Sequence, residues 1–110
     1  MQHLSNHVQL IGHLGKDVEY KQLGEEGRGL ARVSIATNDV RKNKNGEIEK
    51  DTQWHNIVGW GKTAEMMNNL FKKGKKVAIQ GKLVHRSYDD KDGTKRYVSE
   101  VVVQEFMLLN

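Results

Sequence analysis

Apolar and polar residues alternate over several separate segments of this chain. Ala31, Val33 and Ile35 alternate with Arg32 and Ser34, which is the pattern of a half-buried β-strand. Similar patterns predict further strands at residues 8–14, 53–60, 77–83 and 97–103, and the last of these either continues into EFMLLN or is followed by a short final strand. The chain is therefore predicted to be mostly β.

One segment departs from this alternation. Residues 63–71 place Met66, Met67, Leu70 and Phe71 at the spacing of a short amphipathic helix. The order is then three strands, one helix and two strands, which is the layout of an OB-fold, a five-stranded Greek-key barrel. We expect residues 1–110 to form one OB-fold domain, an all-β fold with one short helix.

Turn signals fall between the predicted strands. Asn45-Gly46 and Asp92-Gly93 are strong hairpin signals because these residue types tolerate positive φ. The segment GEEGRG, residues 24–29, is expected to form a flexible turn. The segment DDKDG ends like a calcium-binding loop but lacks suitable flanking oxygen ligands, so a hairpin turn is the better interpretation.

Composition excludes several classes of protein. The 110 residues include no cysteine, which rules out disulfides and thiolate metal sites. We expect no signal peptide and no membrane span, since no apolar run is long enough for either. His3 and His7 have no evident third ligand, and no nucleophile–base set or phosphate-cradling loop is present. No enzyme activity, metal or cofactor is therefore expected.

The charge is basic and is concentrated in two predicted loops. The chain carries a net charge of +4, and the runs RKNKNGEIEK and KKGKK hold many of the cations. A basic surface favours anionic partners, but charge runs of this size are also common on solvated surfaces. Charge alone leaves both interpretations open.

The two tryptophans, Trp54 and Trp60, lie an even number of positions apart in the third predicted strand. Side chains at such positions share one face of a strand. In one interpretation the indoles belong to the core and Ile57 faces solvent. In the other, Ile57 joins the core and the indoles stand on the outer surface as platforms for flat ligands.

The pattern of the fourth predicted strand favours the second interpretation, in which the tryptophans stand on the outer surface. Val77, Ile79 and Leu83 are expected to point inward, which places Arg86 and Tyr88 on the outward face. Aromatic rings that stack on bases, together with cations that bind phosphates, make a surface for single-stranded nucleic acid. The pattern thus indicates a binding surface beside the barrel.

The chain resembles the bacterial single-stranded DNA-binding protein family. The matching words are NHVQLIGHLGKDVE, ARVSIATN, TQWHNIVGWGKTAE, KKGKKVAIQGKL and HRSYDDKDGTKRYVSEVVV. They occur in the family's order from residue 6 to residue 103, which is nearly the whole chain. No single word is specific, but the combination is.

The resemblance implies a homotetramer that coats single-stranded DNA in the bacterial cytoplasm, at the nucleoid, during replication, recombination and repair. It assigns base stacking to Trp54, Trp60 and Tyr88. The expected phosphate contacts are Lys62, Lys73, Arg86, Arg41, Lys42 and Arg96. His55, which follows the stacking tryptophan in the WH word, and Asn6 are expected at subunit contacts.

The chain also departs from the family in two places. Val40 lies near the position where many members carry a further stacking aromatic, so one platform per subunit is expected to be missing. The sequence ends at FMLLN, without the acidic, phenylalanine-ended tip through which the family recruits partner enzymes. A tailless or truncated form is therefore expected, and recruitment through a C-terminal tail is not.

Two other functions fit the same fold. A primosomal-type OB protein would bind single strands as a dimer during replication restart, and the oligomer mass would distinguish it. An OB module for protein interaction would carry merely solvated basic loops, and it would not bind single strands at low salt.

Overall fold

A computed structural model describes residues 4–23 and 28–109. Most of the predicted turn at 24–29 lies outside these residues, as does His3. A short 3-10 helix, Leu4–Asn6, precedes six strands and one α-helix, α1 (Gly61–Leu70). The strands are β1 (Val8–Leu14), β2 (Glu19–Leu23), β3 (Arg28–Lys42), β4 (Ile48–Trp60), β5 (Lys76–Asp89) and β6 (Lys95–Leu109).

Five of these strands close a barrel. The sheet runs in the order β1-β5-β6-β4-β3-β2, and a further pairing of β1 with β3 closes the ring, with β2 left outside it beside β3. β4 and β6 run parallel, whereas the other pairs are antiparallel. With α1 between β4 and β5, this confirms the predicted OB-fold. The sequence pattern missed the short strand β2, which pairs with β3.

The barrel interior is filled by the inward side chains that the alternation predicted. Ile35, Ile57 and Val77 are each at most 1% exposed. The core residues are Leu14, Ala31, Val33, Ile35, Ile57, Ala64, Met67, Phe71, Val77, Ile79, Val101 and Val103. At the closure, a Cβ on Gly12 would collide with the Ala36 carbonyl oxygen, so only glycine lets β1 approach β3 there.

The helix closes one end of the barrel with a different face from the one predicted. Met67 and Phe71 are buried, together with Ala64, whereas Met66 is 48% exposed and Leu70 is 43% exposed. The predicted stripe was thus half wrong, because a wide apolar spacing does not say which part of it meets the core. A Cβ on Gly59 would collide with the Met67 sulfur, which shows how tightly α1 packs on β4.

Both predicted hairpin turns form. Gly46 has φ of 80° and Gly93 has φ of 78°. Each turn is held by one side chain: Oδ1 of Asn43 accepts from the N–H groups of residues 45 and 47, and Oδ1 of Asp90 accepts from those of residues 92 and 94. The hairpins therefore have the same internal scaffold.

β5 and β6 continue beyond the barrel as a two-stranded arm. The pairing of β5 with β1 ends at Gly81, next to a bulge between Gln80 and Gly81, while the pairing with β6 continues to Asp89. Leu83 was predicted to point into the core, but it is 39% exposed because it lies in this arm, past the end of β1.

The described residues hold no helix that is long and apolar enough to cross a membrane. The same residues, 4–23 and 28–109, contain no cluster of three or more His, Cys, Asp or Glu side chains placed to bind a metal ion.

Candidate nucleic-acid interface

The two tryptophans stand on the outer surface of β4. Trp54 is 62% exposed and Trp60 is 36% exposed, whereas Ile57 between them is 1% exposed. Trp54 pairs with Ala36 and Trp60 pairs with Leu30 across β3. The interpretation in which Ile57 joins the core and the indoles face outward is therefore the one that the structure shows.

Each indole is supported from one side. A Cβ on Gly15 would lie 2.8 Å from Cη2 of Trp54, so the ring packs against the backbone that follows β1. The guanidinium carbon of Arg28 lies 5.6 Å from the ring centre of Trp60, within range of a cation–π interaction. Both rings are thus held in place while keeping exposed area.

The arm formed by β5 and β6 adds a third aromatic side chain. Tyr88 is 49% exposed, and the guanidinium carbon of Arg86 lies 5.8 Å from its ring centre. Tyr88 pairs with Arg96 across the arm. Tyr97 is 78% exposed but pairs with Ser87, so it lies on the opposite face of the arm.

An open cavity separates the tryptophan strand from the tyrosine arm. Its lining is mixed, with cations, acids and uncharged polar groups around the ring of Tyr88. The lining residues are Lys16, Glu19, Arg32, Val33, Ser34, Asn56, Ile57, Arg86, Tyr88, Val98 and Glu100. We call the surface formed by Trp54, Trp60, Tyr88 and this cavity the outer face.

Glu100 is a residue of the outer face that the sequence pattern did not indicate. It is 6% exposed, and its Oε1 accepts a hydrogen bond of 2.8 Å from Nε of Arg86. Nη1 of Arg32 lies 3.8 Å from its Oε2. A charged residue among the valines of VSEVVV was the available signal, but its arginine partners come from other strands.

The other predicted phosphate contacts lie at the start of α1, after α1 and in the arm. Lys62 is exposed in the first turn of α1, two residues after Trp60. Lys73 is exposed after α1, where its backbone N–H donates to Oδ1 of Asp17 at 2.9 Å. Nε of Arg96 donates to Oδ2 of Asp90 at 2.9 Å, and this bond lowers the pKa of the Asp90 carboxyl.

The hairpin of β3 and β4 divides its cations between two faces. Lys42 and Lys50 occupy even positions of paired strands and share the face of Trp54. Arg41 lies on the other face, where its Nε is 3.6 Å from Oε2 of Glu49. Lys50 was not among the predicted phosphate contacts. It is nevertheless placed better than Arg41 to meet a nucleic-acid strand that crosses Trp54.

Val40 also lies on the face of Trp54. It pairs with Lys50 and is 65% exposed. The position therefore faces the same side as Trp54, a predicted stacking residue, but it offers an aliphatic surface in place of a ring.

The two predicted assembly residues make contacts inside the chain. Nε2 of His55 lies 2.9 Å from Oγ1 of Thr37. The side chain of Asn6 donates to the carbonyl of Leu83 at 3.0 Å and accepts from its N–H at 2.8 Å. Asn6 thus completes the backbone hydrogen bonds of Leu83 in β5, just beyond the pair of Val8 with Gly81 where the pairing with β1 stops.

Another surface of the barrel, formed by β1, β5 and β6, carries exposed apolar side chains that the sequence pattern did not indicate. Ile11 pairs with Ala78 and Ala78 pairs with Met107, so the three residues form a row across β1, β5 and β6. Ile11 is 48% exposed and Met107 is 64% exposed. We call this the apolar row.

Comparison with known proteins identifies relatives for nearly the whole chain. The model of the single-strand binding protein family matches residues 5–109. Single-stranded DNA-binding protein 1 of Chlorobaculum tepidum is 40% identical over 105 residues, covering 94% of this chain and 64% of that protein. Single-stranded DNA-binding protein 1 of Xylella fastidiosa is 38% identical over 105 residues, covering 94% of this chain and 76% of that protein.

A solved structure has the same architecture. The Plasmodium falciparum SSB in complex with ssDNA superposes with a TM-score of 0.85 at 26% identity, covering 96% of this chain and 95% of that one. The likeness thus extends to nearly all of both chains.

Proposed function

This chain belongs to the single-strand binding protein family, and we propose that it binds and protects single-stranded DNA without catalysing a reaction. The observation that carries this proposal is the exposure of Trp54 and Trp60 on one face of β4, flanked by cations. A soluble domain gains nothing in stability by leaving two indoles in water, whereas indoles on a surface can stack on bases.

The arrangement separates two kinds of contact. Trp54, Trp60 and Tyr88 offer rings to bases, and stacking tolerates any sequence because every base has a π-face. Lys42 and Lys50 share the face of Trp54, and Lys62 and Lys73 are exposed near the two ends of α1. These lysines would bind phosphates and release counterions from the DNA. Coating of this kind prevents re-pairing and blocks nucleases during replication, recombination and repair, in the cytoplasm at the nucleoid.

Self-association is part of the proposal. The apolar row presents Ile11 and Met107 to solvent in the single chain, and burial of such a surface against another copy would be favourable. We propose a homotetramer, with His55 and Asn6 near subunit contacts. A dimer would instead agree with the primosomal-type function.

A titration with oligothymidylate tests the proposal. The protein is mixed with the oligomer and separately with a duplex of equal length, while intrinsic tryptophan fluorescence and light scattering are recorded. Both tryptophans lie on the outer face, so we expect strong quenching by the single strand and a mass of four subunits. Folded protein that shows no quenching and no binding at low salt would support the protein-interaction module instead.

A further inference from the structure

Glu100 lies in the middle of the outer face, yet its carboxylate is shielded from water. It is 6% exposed and stands opposite Asn56 of β4 and Val84 of β5. Acidic side chains are rarely buried unless they are paired, and here the partners are the guanidinium groups of Arg86 and Arg32. A surface proposed to bind a polyanion thus contains a built-in anion.

Arg86 is held from two directions. Its Nε donates to Oε1 of Glu100 at 2.8 Å, and its guanidinium carbon lies 5.8 Å from the ring centre of Tyr88. If a phosphate drew Arg86 away, Glu100 would lose its hydrogen bond of 2.8 Å and keep only the longer contact of 3.8 Å with Arg32. Weakening the pairing of a buried carboxylate is unfavourable because its charge is then less well compensated.

We infer, on the basis of the proposed function, that Glu100 is a positioning residue for DNA binding. It holds the guanidinium of Arg86 beside Tyr88, as part of the surface on which a base stacks, and it withholds the charge of Arg86 from the phosphates. Arg86 therefore contributes to binding through the ordered stack and releases few counterions. This differs from the role in phosphate binding that the sequence predicted for Arg86.

The salt dependence of binding separates these roles. We would measure the affinity for oligothymidylate over a series of salt concentrations for wild type, Arg86→Gln, Glu100→Gln and the double variant. Lys62→Ala serves as the reference for a phosphate contact. Glutamine is nearly isosteric with glutamate at position 100, and at position 86 it removes the guanidinium charge while keeping a polar side chain. Thermal melting of each variant reports its folding.

Arg86→Gln should weaken binding roughly 2- to 30-fold at every salt concentration, as expected for loss of a cation–π contact. It should change the slope of log affinity against log salt by less than about 0.2, whereas a full phosphate contact accounts for about 0.7. Glu100→Gln should free the charge of Arg86 and steepen the slope by up to about 0.7. Arg86→Gln in the Glu100→Gln background should remove this gain.

Two results would overturn the inference. One is a slope that flattens by about 0.7 in Arg86→Gln, because Arg86 would then bind a phosphate in wild type. The other is a Glu100→Gln variant that melts lower but keeps the wild-type slope, because Glu100 would then serve the fold alone. If Glu100→Gln does not fold, the slope of Arg86→Gln decides.

The proposed function is tested separately by the wild-type titration. Salt-dependent binding of wild type supports that function whichever result Arg86 gives. A folded wild-type chain that does not bind oligothymidylate would overturn both the function and this inference.

Discussion

The indole of Trp54 packs against Gly15 so closely that a Cβ on this glycine would lie 2.8 Å from Cη2 of the ring. Contacts below about 3 Å are not tolerated between carbon atoms, whose optimal separation is about 3.5–4.0 Å. An alanine at this position must therefore push the ring away. Since Trp54 is 62% exposed, the ring has room to move.

Gly15→Ala is thus expected to leave the fold largely intact and to weaken the binding of single strands. We expect a loss of binding within the about 1–3 kcal/mol that one base–aromatic stack is worth, and a change in melting of only a few degrees. Gly12→Ala is the contrasting variant, because its Cβ would collide with the Ala36 backbone and should destabilise the barrel. Gly15→Ala with wild-type affinity would show that the position of the Trp54 ring does not matter.

The hairpin of β3 and β4 allows a test of the direction that DNA takes. Lys50→Ala and Lys42→Ala should each flatten the salt dependence, by up to about 0.7 in slope for a full phosphate contact. Arg41→Ala is the matched control, since Arg41 lies on the opposite face and pairs with Glu49. If Arg41→Ala flattened the salt dependence more than Lys50→Ala, the DNA would not follow the face of Trp54.

Neighbouring positions at the end of α1 test the core assignment. Phe71 is 1% exposed and packs edge-on against Phe106 at 4.8 Å between ring centres. Phe71→Ala should lower the free energy of unfolding by about 3–5 kcal/mol, measured by denaturant titration. Leu70→Ala should cost much less, because Leu70 is 43% exposed in the single chain.

Two exposed methionines test the proposed assembly surface. Met107 belongs to the apolar row and is 64% exposed, whereas Met66 on α1 is 48% exposed. Met107→Glu should lower the mass measured by light scattering, because burying an unpaired carboxylate in a subunit contact is unfavourable. Met66→Glu should leave the mass unchanged. If Met107→Glu assembles like wild type, the apolar row is not a subunit contact.

The sequence predicted the five strands of the barrel and the helix, though not the short β2, because alternation is a local signal. The run from Ala31 to Ile35 repeats with period two, and its odd positions are all buried. The buried face of the helix was harder to predict, because its apolar positions cover a wider arc than the part that packs on the barrel. Met66 and Leu70 are therefore exposed in the single chain, although their spacing matched that of Met67 and Phe71.

The charged residues of the site were harder to predict from the sequence than its aromatic residues. The parity of Trp54 and Trp60 restricted them to two arrangements, and the partner strands decided between these. The pair of Glu100 with Arg86 depends on the register of β5 with β6, and the placement of Lys50 beside Lys42 depends on that of β3 with β4. In a hairpin the register depends on the turn type and the loop length, which the Asn-Gly and Asp-Gly signals alone did not settle.

If Trp54, Trp60 and Tyr88 are stacking platforms, removing the indole of Trp54 should weaken binding without unfolding the domain. Tyr97 is the matched control, since it is 78% exposed but lies on the opposite face of the arm. Binding of oligothymidylate and thermal melting should be measured for Trp54→Ala and Tyr97→Ala. We expect Trp54→Ala to lose about 1–3 kcal/mol of binding with little change in melting, and Tyr97→Ala to bind like wild type. Wild-type affinity in Trp54→Ala, or equal losses in the two variants, would show that these rings do not stack on bases.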